Sequence, residues 1–196
     1  MAIKDRIKAK EIEILLNKEF PKKTLKPSLR FTNHFSLLVA IILSARCRDT
    51  QVNKITFKLK PTSAKKLNIM SLKKLREEIK SCGLHYNKAR FLKRLSKKII
   101  KKHDGKVPTN YDDLTSLPGV GNKTANVFLA HIGKPYGFPV DSHIHRCVRI
   151  WGLCSDDATI YRTQKCLEKL FPEKNKWLYL HWQIIRFSKK YKNCQI

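Results

Sequence analysis

The chain has 196 residues, 42% of them hydrophobic, and its 42 lysines and arginines against 15 acidic residues give a formal net charge of +27. That composition excludes a disordered chain, the length suffices for one domain or two small lobes with a proper core, and the longest apolar run, from Phe35 to Leu43 broken by Ser36, is too short to cross a bilayer. The charge points to a polyanionic partner, although lysines scattered over surface helices through a genome-wide lysine bias account for such an excess equally well.

The start, Met1-Ala2-Ile3-Lys4-Asp5-Arg6, has no apolar run ahead of a small-residue cleavage site, so no secretory signal is expected. Residues 1–20 place Ile3, Ile7, Ile12, Ile14, Leu15, Leu16 and Phe20 among charges, which predicts an amphipathic helix ended by Pro21. After an exposed link, Phe31 to Ala45 predicts a helix apolar almost all round, with Asn33 as its cap. Asp49 or Thr50 is expected to cap a further helix to Leu59, and Pro61-Thr62-Ser63 to form a connection. Ser71 is expected to cap Leu72 to Ile79, and Asn87 to open a basic helix from Lys88 to Lys102. Thr109-Asn110-Tyr111-Asp112 has the form of a capping box leading into Leu117. Helices are expected again from Ser142 to Trp151, Ala158 to Leu170 and Trp177 to Lys189, with Pro172 breaking the run; Trp151, Trp177 and Trp182 fit core positions. No segment alternates with period two, so the predicted class is all-α.

The most informative stretch is Leu117-Pro118-Gly119-Val120-Gly121-Asn122-Lys123-Thr124-Ala125-Asn126, followed by Val140-Asp141-Ser142-His143. A proline and two glycines within four residues describe a tight hairpin, because glycine alone takes positive φ without steric cost. Good helix formers follow, so the hairpin opens a helix, and a helix N-terminus with its unbonded N–H groups and positive dipole end suits a phosphate. Lys123 falls in the first turn of that helix. An anion cradle, an amine and a carboxylate, Asp141, are the parts of a reactive site. Asp141 is also a natural N-cap for the helix after it.

These residues resemble the helix-hairpin-helix DNA glycosylases, and within them the endonuclease III family. The resemblance extends upstream through Leu37-Leu38-Val39-Ala40-Ile41-Ile42-Leu43-Ser44-Ala45 and Gly83-Leu84-His85-Tyr86-Asn87-Lys88-Ala89, covering roughly residues 30–150. It implies two helical lobes, about 25–135 carrying the hairpin, and 1–24 with 136–196, with a DNA-binding cleft between them. It also implies a glycosylase with AP-lyase activity in base excision repair, acting on oxidised pyrimidines in duplex DNA. Lys123 would attack C1′ of the damaged nucleotide and form an imine; Asp141 would stabilise developing positive charge and help move protons. Gly119, Val120 and Gly121 would hold a phosphate through main-chain N–H groups, and the family admits a monovalent cation on hairpin carbonyls. Base flipping leaves a gap in the duplex, for which Leu84 is the candidate wedge, with a core leucine as the plain alternative. Arg46 departs from the glutamine usual after Ser-Ala in endonuclease III relatives, and His143 is a weaker candidate for contacting the strand beside the lesion.

Six cysteines, Cys47, Cys82, Cys147, Cys154, Cys166 and Cys194, are dispersed and expected to be reduced thiols. Members of the endonuclease III family often end in a Cys-x6-Cys-x2-Cys-x5-Cys iron–sulfur loop. Here Cys194-Gln195-Ile196 closes the sequence, and Cys147 and Cys154 have the x6 spacing but no Cys-x2-Cys after them. No iron–sulfur cluster and no other metal are therefore expected. The expected partner is double-stranded DNA containing damaged bases or abasic sites, with no membrane. A monomer is expected, in the cytoplasm and on the nucleoid if bacterial. Two rivals stand beside this reading: a non-catalytic helix-hairpin-helix DNA-binding protein, and a lysine glycosylase for another lesion such as oxidised guanine.

Overall fold

A computed structural model describes residues 3–61 and 63–195. These contain eleven α-helices, two short 3-10 turns and no strand. The helices are α1 (Ile3–Glu19), α2 (His34–Ser44), α3 (Asp49–Leu59), α4 (Ala64–Ile69), α5 (Leu72–Glu78), α6 (His85–Lys102), α7 (Tyr111–Thr115), α8 (Asn122–His131), α9 (Ser142–Ile150), α10 (Ile160–Leu170) and α11 (Trp177–Lys190). They are gathered into two compact units, 27–132 and 1–26 with 133–196.

In the 27–132 unit the core is built around α2, in which every residue from Phe35 to Leu43 is buried. A helix apolar on all faces has no side to give to water, so it must be surrounded, and α3, α6 and α8 pack against it. Full burial of Leu37, Leu38 and Leu43 contributes roughly 1.5–3 kcal/mol each. Asn33 caps α2 in a reciprocal box: its side chain accepts from Ser36 N–H at 2.9 Å and Ser36 Oγ accepts from Asn33 N–H at 3.0 Å. The basic α6 buries Ala89, Leu92, Leu95, Ser96 and Ile99, a stripe at helical spacing, against α4 and α5.

In the other unit α1 packs on α10 and α11, and α9 on both of them. The buried residues of α1 are Ala9, Ile12 and Leu16, whereas Ile3, Ile7 and Ile14 are exposed. At 100° per residue those two sets fall on opposite faces, so the helix carries two apolar stripes and only one enters the core. Gln183 of α11 donates to the carbonyls of Leu16 and Phe20 and to Asn17 Oδ1, tying α11 to the C-terminal end of α1, where Leu16 O also accepts from Phe20 N–H. Trp151 and Trp177 are core residues whose indole N–H groups donate to the carbonyls of Cys194 and Phe171.

Several boundaries differ from the sequence expectations. The cap of α3 is Arg48, without a side-chain bond, and Asp49 and Thr50 lie inside the helix. A short α4 follows Ser63, whose hydroxyl accepts from Lys66 N–H; part of the connection expected there, Thr62, lies outside the described residues. The α6 helix starts at His85 rather than at Asn87, because Leu84 adopts a left-handed cap conformation at φ 60°. The cap of α7 is Asn110, not Thr109, with its partner at Asp113.

Candidate nucleic-acid interface and reactive site

Within the 27–132 unit, the hairpin is a turn in which Val120 N–H donates to the Leu117 carbonyl at 3.1 Å, with Pro118 and Gly119 at its corners. Gly119 has φ +82°, the value a type II turn demands at that corner. A Cβ there would lie 3.0 Å from Cβ of Phe91 on α6, so the turn also sits hard against that helix. Leu117 and Val120 point into the core and fix the loop on both sides of the glycine. Lys98 of α6 donates to the Ser116 carbonyl at 2.6 Å, tying down the end of α7.

Gly121 is the N-cap of α8 and has no side chain to lay across the helix start. An added Cβ at Gly121 would meet nothing within 4 Å, so the hairpin is open on that side. Lys123 is exposed in the first turn of α8. Its neighbour Asn122 accepts at Oδ1 from Tyr111 Oη and from Asn126 Nδ2, each at 2.8 Å. This chain from α7 to the fully buried Asn126 fixes the two helices of the hairpin about the lysine. Nothing in the sequence pattern singles out Tyr111 or Asn126 for this beyond one signal, an asparagine amid an apolar helix face.

Two further candidates in the same unit come together. Arg46 and Leu84 are both exposed, both have positive φ (53° and 60°), and their turns touch. Gly83 backs onto the Arg46 carbonyl so closely that an added Cβ would lie 2.7 Å from that oxygen. Leu84 is 52% exposed and is therefore not the core leucine of the plain alternative.

In the other unit, Asp141 is the N-cap of α9, its Oδ1 accepting from Ile144 N–H at 3.0 Å. The segment leading to it is held at two points: the Phe138 N–H donates to Glu168 at 3.2 Å, and the buried His181 meets the Pro139 carbonyl at 2.9 Å. Burial pushes the Glu168 carboxyl up, but donors from Lys165, Gln164 and the Phe138 N–H together outweigh it and hold it below the usual carboxylate value. His143 Nδ1 pairs with Ser188 Oγ at 2.9 Å, and Arg146 donates to the same oxygen at 2.8 Å.

The cysteines fall into pairs. Cys147 and Cys194 touch, as do Cys154 and Cys166, all four in the second unit, while Cys47 and Cys82 belong to the first. Burial and its neighbour push the Cys147 thiol up to about 12. Among the described residues no three His, Cys, Asp or Glu side chains converge as a metal site. An iron–sulfur cluster needs four thiolates around one centre, and these two-by-two contacts do not fit one.

Residues 39–173 match the HhH-GPD superfamily base excision DNA repair protein family. The chain belongs to the HhH-GPD superfamily. Among HhH-GPD relatives it is 36% identical over 191 residues to endonuclease III of Bacillus subtilis (strain 168), covering 95% of this chain and 86% of that one. Against endonuclease III of Synechocystis sp. it is 39% identical over 170 residues, covering 85% and 76%. A trapped endonuclease III–DNA covalent intermediate superposes with a TM-score of 0.86 at 35% identity, over 96% of this chain and 88% of that one. A thermostable thymine-DNA glycosylase at 21% identity and a TM-score of 0.78 shares the HhH-GPD fold. Among the described residues no helix is long and apolar enough to cross a membrane.

Proposed function

We propose that this chain is a bifunctional DNA glycosylase and AP lyase of base excision repair, removing oxidised pyrimidines from duplex DNA. The observation that carries it is Lys123: an exposed lysine in the first turn of a helix opened by a glycine hairpin, in a chain 35% identical to a protein captured covalently on DNA. A purely DNA-binding hairpin makes Lys123 one more phosphate contact and Asp141 only the cap of α9, and leaves their occurrence together unexplained. Cellular work on the nucleoid, in the cytoplasm of a bacterium, belongs to the same proposal.

The chemistry follows from an amine nucleophile. The amine of Lys123 attacks C1′ and the damaged base leaves with the glycosidic electron pair. The opened sugar and Nζ then form an imine. The imine acidifies C2′; loss of that proton expels the 3′ phosphate by β-elimination, and water hydrolyses the imine to restore the lysine. A hydroxyl or an activated water would release the base and stop there. The Asp141 carboxylate offsets positive charge building on the sugar and helps move protons. A phosphate is received by the hairpin backbone of Gly119, Val120 and Gly121, through the N–H groups of the two glycines because that of Val120 is held by the Leu117 carbonyl, and His143, Arg46 and Leu84 serve the strands around the lesion. A monovalent cation at the hairpin would share carbonyls already in use, since Leu117 accepts from Val120 and Gly121 from Ala125; carbonyls have a second lone pair for it.

Borohydride reduction tests the central step. The wild-type protein is expected to become covalently attached to a lesion duplex, and Lys123→Ala to lose attachment, base release and nicking while still binding duplex. Nicking by the variant at the wild-type rate would overturn the assignment, and a panel of lesion duplexes, oxidised guanine included, reads the substrate. The protein is further proposed to work without an iron–sulfur cluster. Purified protein should be colourless and keep lyase activity after chelation, and stoichiometric iron and sulfide would refute this.

A further inference from the structure

Lys88 is a charged residue where charge is rarely found. It is 4% exposed, one turn into α6, and its amine bonds to no carboxylate among the described residues. Its three N–H bonds have three acceptors: the Leu43 carbonyl at 2.8 Å, the Ala45 carbonyl, and Cys82 Sγ at 3.0 Å. Cys82 in turn donates to Leu43 O at 3.2 Å. Two of the acceptors are carbonyls at the C-terminal end of α2, which have no intrahelical partner and carry the negative end of the helix dipole. A buried cation is thus satisfied entirely by main-chain oxygens and one thiol.

Those acceptors flank the two exposed candidates described above. Ala45 immediately precedes Arg46, and Cys82 lies two residues before Leu84. The backbone closes the circuit: Lys88 N–H donates to the Leu84 carbonyl at 3.0 Å, and Gly83 rests against the Arg46 carbonyl. Arg46 and Leu84 both sit in the left-handed region, which side chains occupy only when the surroundings hold them there. One ammonium therefore bonds to the turn before each of them.

We propose that Lys88 is a positioning residue that sets Arg46 and Leu84 in register with each other, so that both enter the duplex gap when a base is flipped. This rests on the gap-filling reading of those two side chains. Lys88 touches no DNA; it acts through the two turns. Methionine in its place keeps the length and apolar stem but takes the ammonium from the Ala45 carbonyl and leaves Leu43 O only the Cys82 thiol, and the turns are free to separate.

The test is a double-mutant cycle in the full chain, read by single-turnover excision from a duplex with an oxidised pyrimidine. Lys88→Met and Leu84→Ala are each expected to slow excision roughly tenfold or more, and Lys88→Met, at a residue that touches no DNA, to leave binding to undamaged duplex unchanged. The double variant should be no slower than the worse single one, because the lysine acts through the leucine. Multiplying effects, or normal excision by Lys88→Met, would overturn the inference while leaving the gap-filling reading intact. Normal excision by Leu84→Ala and Arg46→Ala would instead remove that reading, and the inference with it. Should Lys88→Met fail to fold, Gly83→Ala replaces it in the same cycle, since its Cβ drives the two turns apart from the opposite side.

Discussion

At Asp141 two roles make different demands on the same carboxylate. As the cap of α9 it needs one oxygen to accept from Ile144 N–H, a task asparagine performs as well. As a catalytic group it needs a negative charge, which asparagine lacks. Asp141→Asn is therefore expected to melt within a few tenths of a kcal/mol of wild type, while turnover falls roughly a hundredfold with little change in affinity. Asp141→Ala should lose the same turnover and about 1 kcal/mol of stability besides. Thermal melts and single-turnover rates on both variants separate the roles; full turnover in the asparagine variant would leave Asp141 a cap only. The cap itself was legible, because an aspartate before a short amphipathic helix is a local pattern. The props behind it were not. Glu168 and His181 reach the Phe138–Pro139 segment from α10 and α11, and nothing near residue 141 in sequence announces them.

The hairpin shows what glycines do at the level of an element, because its two glycines answer to different constraints. Gly119 is bound by its own backbone and by Phe91, so Gly119→Ala should cost about 1–3 kcal/mol of stability and blunt DNA binding through a distorted turn. Gly121 has φ −98° and open space around it, so alanine costs at most about 1 kcal/mol, the loss of a tolerable N-cap. Its methyl group would stand where the proposed phosphate approaches, so Gly121→Ala should fold well yet bind duplex roughly tenfold more weakly. Equal melting of the two variants would contradict this division. Helix order and the hairpin were readable because proline, glycine and apolar periodicity act locally. The start of α6 was not, since a leucine in a left-handed cap is imposed by tertiary packing around Lys88 and Gly83. Nor was α4, whose six residues are too few to show a period.

Charge belongs to the whole molecule. Of the few acidic residues, Glu77 pairs with Lys80, Glu168 with Lys165, Glu173 and Glu13 with Lys176, and Glu19 with Lys190. Such pairs at or near the surface contribute little to stability, but they neutralise the carboxylates locally and leave the lysine excess as an uncompensated field. A polyanion neutralised by that field releases its counterions, so affinity must fall with salt in proportion to the number of phosphates contacted. Binding to undamaged duplex is accordingly expected to weaken by roughly a thousandfold between 50 and 200 mM salt, the slope for about six contacts. Excision by the bound enzyme should respond far less, because the proposed imine chemistry at Lys123 is local to one sugar. A titration of affinity against salt, with single-turnover rates measured at saturating protein, checks both halves. A nearly flat affinity would mean that the positive charge faces away from DNA and reflects only the lysine-rich composition. A chemical rate falling as steeply as affinity would mean that the long-range field, rather than the hairpin, holds the scissile nucleotide in place.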